Sequence, residues 1–278
     1  MNRPRRALIA IALFLVGLVA CVPLASAAPG QVRVQAEVTS HESGDGFSVN
    51  GVRLQIYRDG EKILDRAPVR PCPGCILQPS PPEAPNPAAR VVQLDATPEP
   101  EVVFTLYSIG AHCCVFAEVF RWDDKLGRYL VTTRNFLDSG YLLKDLRHDG
   151  HPLFAGSDNR LAYRFSCFLC SIFPPQIWEF RGGEFIDVTR SFPKQVKRDL
   201  ARAKQYYRQA RGKADIRGIL TDLVADTCLL DRCQAGFSVV QRAAHSGFIR
   251  AFDKYEPGPH GAKFVPALRR FLRHLGYA

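Results

Sequence analysis

The sequence predicts an α+β protein: an antiparallel β-rich region with propeller-blade-like repeats, followed by a small basic helical bundle. Three observations carry this. Apolar residues alternate along the first two thirds of the chain, as they do in half-buried strands. A weak repeat with a period of about 50 residues runs through the later part of that region. At Pro193 the apolar spacing changes to threes and fours, the spacing of a helix.

Residues 1–28 read as an export signal. Arg3, Arg5 and Arg6 make a positive start, and Ala7–Ala20 is an uncharged apolar run of 14 residues, too short to span a bilayer. Two processing sites compete. Leu18-Val19-Ala20-Cys21 resembles a bacterial lipobox that would leave Cys21 carrying lipid at the mature N-terminus, whereas Ala25-Ser26-Ala27 is a small-x-small site that would release a free protein.

Export sets the cysteine chemistry. Of nine cysteines, either cleavage takes Cys21 out of the pairing pool. The remainder are Cys72, Cys75, Cys113, Cys114, Cys167, Cys170, Cys228 and Cys233, an even number that in an oxidising compartment implies disulfides. Adjacent cysteines bond to each other only with backbone strain, so Cys113 and Cys114 are expected to pair with Cys72 and Cys75. Such a tie would close a loop of about 40 residues, worth ~3–4 kcal/mol in the chain-entropy description. Cys228–Cys233 and Cys167–Cys170 are expected as local bridges.

In the N-terminal β unit, residues 29–75, Val32, Val34, Ala36 and Val38 form one strand pattern and Val52, Leu54 and Ile56 another. Arg58-Asp59-Gly60 makes a turn before Ile63-Leu64, and Ser43-Gly44-Asp45-Gly46 a loop. Residues 76–90 hold Pro79, Pro81, Pro82, Pro85 and Pro87 and read as a linker outside any central sheet. Residues 91–192 form the repeat region. Leu94-Asp95, Val102-Val103-Phe104 and the Trp122 hairpin closed by Gly127 make one unit. Lys144-Asp145, Leu153-Phe154 and the Trp178 hairpin turned at Gly182-Gly183 make the next.

These Asp-loop, strand and hairpin units resemble degenerate FG-GAP or VCBS-type repeats, whose intact loops read Asp-x-Asp-x-Asp-Gly and bind calcium. Gly110-Ala111-His112-Cys113-Cys114, Asp145-Leu146-Arg147-His148-Asp149-Gly150, Ala162-Tyr163, Phe173-Pro174-Pro175-Gln176-Ile177-Trp178 and Phe185-Ile186-Asp187-Val188-Thr189-Arg190 together resemble an uncharacterised family of exported bacterial proteins. The resemblance covers about residues 91–195 and imports no activity. The loops depart from the calcium pattern: Arg147 replaces the middle Asp, leaving Asp145 and Asp149, and in the first unit only Asp95 survives. A guanidinium in the ligand ring repels the ion. The expectation is a metal-free loop in which Arg147 bridges the two carboxylates, with no cofactor, and calcium on Asp145 and Asp149 as the weaker alternative.

The helical region, 193–278, carries 17 Lys+Arg against 7 Asp+Glu, the whole net charge of +10. Val196, Leu200, Ala203, Tyr207 and Ala210 line one face of a first helix that stops at Gly212. Further helices are expected at about 216–230 and 235–255, and around Leu268, Phe271, Leu272 and Leu275. An exported protein seldom meets nucleic acid, so the expected partner of this basic face is an anionic lipid or envelope polymer. No transmembrane helix is expected in the mature protein.

A catalytic constellation is not legible. Cys72-Pro73-Gly74-Cys75 precedes a Pro-rich tract instead of the helix a redox motif needs. His112 and Cys113, adjacent in an extended chain, would point to opposite faces. Asp123-Asp124 fits a hairpin turn. Zinc on the Cys-x-x-Cys pairs with His112 fits poorly with oxidised cysteines. The balance therefore favours a non-catalytic cell-envelope or extracellular interaction module. The alternative is a secreted hydrolase with a site assembled from Asp158, Arg160 and His112.

Overall fold

The computed structural model describes residues 32–42, 49–69, 75–80, 86–108, 113–250 and 258–278. Met1–Ala28, Cys21, Ser43–Gly46, Cys72, Gly110–His112 and residues 81–85 and 251–257 lie outside that set. The architecture is mixed α+β, with three antiparallel sheets followed by four α-helices among the described residues.

The first sheet has the order β1 (Val34–Glu42), β2 (Val49–Arg58), β3 (Glu61–Arg66). Its β2–β3 turn is made by Asp59 and Gly60, both at positive φ, as a tight hairpin requires. The second sheet contains β4 (Leu77–Pro79), β5 (Ala89–Val92), β6 (Glu101–Ser108), β7 (Val115–Asp123) and β8 (Arg128–Asn135). Here the linker expectation is corrected. Both ends of the Pro-rich stretch pair with β6, Leu77–Pro79 against Ser108–Leu106 and Ala89–Val92 against Phe104–Glu101. They do so at the sheet edge, where a residue without an N–H is tolerated.

The third sheet is a meander of β9 (Tyr141–Lys144), β10 (Leu153–Ser157), β11 (Pro175–Arg181) and β12 (Glu184–Asp187). The two repeat units correspond strand for strand: β5–β8 match β9–β12, with the Asp loop after the first strand and the tryptophan in the third. No closed barrel or propeller is found among the described residues.

Strand β6 explains the packing order. Residues Glu101–Leu106 are buried throughout, so both of its faces are covered. Phe104 and Leu106 join Leu54, Ile56 and Phe120 in a core shared with the first sheet. Val103 joins Val119, Phe154 and Phe180 in a core shared with the third.

After a short 3₁₀ turn at Thr189–Ser191 come α1 (Pro193–Ala210), α2 (Arg217–Leu229), α3 (Cys233–His245) and α4 (Phe264–His274). Pro193 starts α1 and Gly212, at φ +76°, follows its end, as expected. The third helix is shorter than its pattern suggests, ending at His245 before Gly247, which sits at φ +68°. Phe165 from the loop after β10 meets Phe264 and Phe271 edge-on, and Phe237, Leu268 and Leu272 complete the helical core.

Cysteine pairing also departs from expectation. The sulfurs of Cys113 and Cys114 lie within bonding distance of each other, whereas the sequence reading pairs them with Cys72 and Cys75. The pair sits where the chain enters β7. Cys167–Cys170 and Cys228–Cys233 are local bridges with Cα atoms 5.0 and 4.1 Å apart. Cys75 is also disulfide-bonded.

Candidate functional site

The residues that suggested chemistry in the sequence are mostly occupied by structural tasks. Asp145 caps its own loop, its carboxylate accepting from the Asp149 and Gly150 backbone N–H groups at 3.2 and 3.0 Å. Arg147 does not bridge Asp145 and Asp149. It donates two parallel hydrogen bonds to Glu179 on β11, at 2.9 and 3.2 Å, because a fork of donors fits a carboxylate better than two separate acids. Asp95 in the first unit accepts from Thr97 and from the Gly182 N–H of the following unit's hairpin. The two loops face each other across a cavity of about 420 Å³ lined by Asp95, Asp149 and the Arg147–Glu179 pair among others.

Asp158 is buried and saturated. Arg160 donates to it through Nε and Nη2, and the Tyr277 hydroxyl donates at 2.8 Å. It locks the C-terminus to the end of β10, and His112 lies outside the described residues. Asp123 and Asp124 hold the β7–β8 hairpin, accepting from the Leu126 N–H and Trp122 Nε1.

A cleft of about 770 Å³ opens where α1 meets the second and third sheets. Its floor carries the Thr105–Tyr141 hydroxyl pair at 2.7 Å, with Lys144 and Arg198 among the lining side chains. Among its described lining residues there is no His, Cys, Asp or Glu. A second pocket, about 560 Å³, lies between α1, the start of α2 and the Cys167–Cys170 loop, lined by Leu169, Ile172, Tyr206 and Ile219 among others. Leu169 is 93% exposed at the tip of that four-residue cystine loop. The loop is pressed onto α2: a Cβ at Gly218 would lie 2.7 Å from the Cys170 carbonyl oxygen.

The most unusual chemistry lies between α1 and α2. Asp222 and Asp226, one turn apart on α2, are fully buried, and Asp199 reaches them from α1. One oxygen from each can be chosen so that all three lie within 4.8 Å of one another. Among the described residues neither oxygen of Asp222 or Asp226 has a hydrogen-bond partner, and Asp199 is paired through one oxygen to Arg202. Burial pushes all three carboxyls above their ordinary range, and for Asp222 and Asp226 the neighbouring acids push further. A signal was present in the sequence: two acids four apart inside the apolar run Ile219–Leu230. Acids are almost never fully buried unless something pairs with them.

Comparisons with known proteins bear on the compartment. No family model matches the chain, and no solved structure does. Over 217 residues, 70% of this chain, it is 28% identical to a protein of Synechocystis sp. named probable thylakoid lumen protein sll0997. The match covers 62% of that protein. Over 120 residues, 41% of this chain, it is 31% identical to the uncharacterized protein y4bJ of Sinorhizobium fredii, and covers 19% of it. The chain thus spans less than two thirds of the length of either relative. Among the described residues no helix is long and apolar enough to cross a membrane.

Proposed function

We propose that this chain is an exported, disulfide-stabilised protein that works without catalysis, as a module docking on an anionic lipid surface in the cell envelope or a lumen-type compartment. The carrying observation is the cystine loop that holds Leu169 out to solvent beside Tyr206 and a basic helix. Exposed apolar residues grouped at a pocket mark contact sites. On α1 and the turn after it, Lys194, Lys197, Arg198, Arg202, Lys204, Arg208, Arg211 and Lys213 are all exposed. An apolar tip flanked by cations suits a surface of anionic headgroups. The lumenal name of the Synechocystis relative and the paired cysteines support the compartment. In this reading the mature chain begins either at a lipid-bearing Cys21 or after Ala27.

Co-sedimentation tests the docking. The protein is expected to bind vesicles containing phosphatidylglycerol but not pure phosphatidylcholine, and to release at about 1 M salt, where the screening length is about 3 Å. Leu169→Ser and Arg208→Glu should each weaken binding several-fold. Absence of binding to either vesicle at low salt removes the reading, and selective binding to soluble anionic polymer would replace lipid as the partner.

Intact mass of the mature protein before and after reduction tests the compartment. Eight thiols should appear only on reduction, the count without Cys21. A lipid adduct would place processing at Cys21. Free thiols in the isolated protein would contradict export into an oxidising compartment.

A further inference from the structure

We infer that Asp199, Asp222 and Asp226 form a binding site for one hard divalent cation, calcium by preference, held between α1 and α2. The inference is independent of the docking role proposed above. Three carboxylates from two helices converge to within 4.8 Å, and two of them are fully buried with four oxygens that lack a hydrogen-bond partner among the described residues.

Unpartnered buried carboxylate oxygens point to something that satisfies them. An all-oxygen set without His or Cys excludes a soft metal and suits calcium, magnesium or manganese. Calcium–oxygen distances of about 2.4 Å place opposite ligands about 4.8 Å apart, so the trio can take positions around calcium without drawing together. Magnesium, with distances of about 2.1 Å, fits once the helices close slightly. Water would complete the coordination.

Route and charge are also provided. Asp199 keeps 13% of its side chain exposed, while Asp222 and Asp226 lie behind it, so an ion enters past the Asp199–Arg202 pair. Arg202 compensates one of three negative charges, and a divalent ion compensates the other two. The alternative to the cation is hydrogen bonding among the three carboxyls themselves, whose oxygens lie within 4.8 Å of one another.

The experiment uses mature protein stripped with EDTA, then melted in increasing CaCl₂, MgCl₂ or MnCl₂ at constant ionic strength. Calcium is expected to raise Tm saturably, by roughly 5–10 °C at a hundredfold excess over its dissociation constant. Titration calorimetry should give one ion per chain. Asp222→Asn/Asp226→Asn preserves shape but withdraws two charges; it should melt at or above wild type in EDTA and lose the cation response. Asp145→Asn, in the surface loop, should keep the response. Should the double variant fail to fold, Asp199→Asn at the rim reads the same site and should weaken binding at least tenfold. No saturable shift with any of the three ions overturns the inference and leaves the trio as proton-sharing acids. A response that survives Asp222→Asn/Asp226→Asn or Asp199→Asn, or that Asp145→Asn abolishes, overturns it as well.

Discussion

Arg217→Met is expected to destabilise the protein by about 3–5 kcal/mol, the cost of leaving a buried charge without its partner. Arg217 is fully buried at the first turn of α2, and Asp215 just before it is nearly so. The guanidinium donates to Asp215 through Nε and Nη2 at 2.9 and 3.0 Å, and the Arg217 backbone N–H donates to the same carboxylate. Ser166 Oγ donates to it as well, and Arg217 Nη1 reaches the carbonyls of Gly258 and Pro259. One ion pair therefore ties the loop before the Cys167–Cys170 bridge, the start of α2 and the segment leading into α4. Burial alone would raise the Asp215 carboxyl, yet the Arg217 and Ser166 hydrogen bonds hold it below its ordinary value. A lowered carboxyl contributes stability above its unfolded value of about 3.9, lost as pH falls through the folded value. In Arg217→Met that contribution is gone at neutral pH, and Tm should fall by roughly 6–20 °C. Asp215→Asn/Arg217→Met removes the stranded charge and should recover much of the loss. Equal melting of the single variant and wild type would show that the pair contributes nothing beyond its packing.

The same region shows how far the sequence could be read. The helical period starting at Pro193 is a statement about which face is apolar, and α1 buries Val196, Leu200 and Ala203 as that face requires. Helix α2 has no such stripe because it is buried from Arg217 to Cys228. Its polar residues were therefore invisible as a site when charge was counted over the whole basic tail. The strands were legible where alternation was clean, as in Val52, Leu54 and Ile56. Cysteine spacing could not decide the pairing, since whether Cys113 and Cys114 meet depends on the local backbone path and not on their separation. Arg147 was read against its sequence neighbours, but its partner Glu179 lies 32 residues away on β11. Non-local geometry of that kind has no signature in one sequence.

Glu118→Gln is expected to stabilise the protein at pH 8 by about 2–3 kcal/mol and to leave it no more stable than wild type near pH 4.5. Glu118 sits in β7 among Phe116, Ala117, Val119 and Phe120, fully buried. One oxygen accepts from the Val69 backbone N–H at 2.6 Å, joining the segment after β3 to the central sheet, and the other has no partner among the described residues. Burial raises its pKa to about 7, only partly offset by the Val69 hydrogen bond and by Arg66. The sign follows from proton uptake. With a folded value near 7 and an unfolded value of about 4.3, the native state binds the extra proton, so stability is fully present below pH 4 and is lost as pH rises through 7. Glu101, buried in β6 and likewise raised to about 7 by burial, adds a second contribution of the same sign. The buried acids of α2 slope the same way over a wider range, so the decisive quantity is the difference between variant and wild type. Urea unfolding at pH 5 and pH 8 measures it. Glu118→Gln should flatten the loss between those values by one carboxyl's share while Glu101 keeps its own. An unchanged slope would mean that Glu118 is ionised in the folded protein over that range.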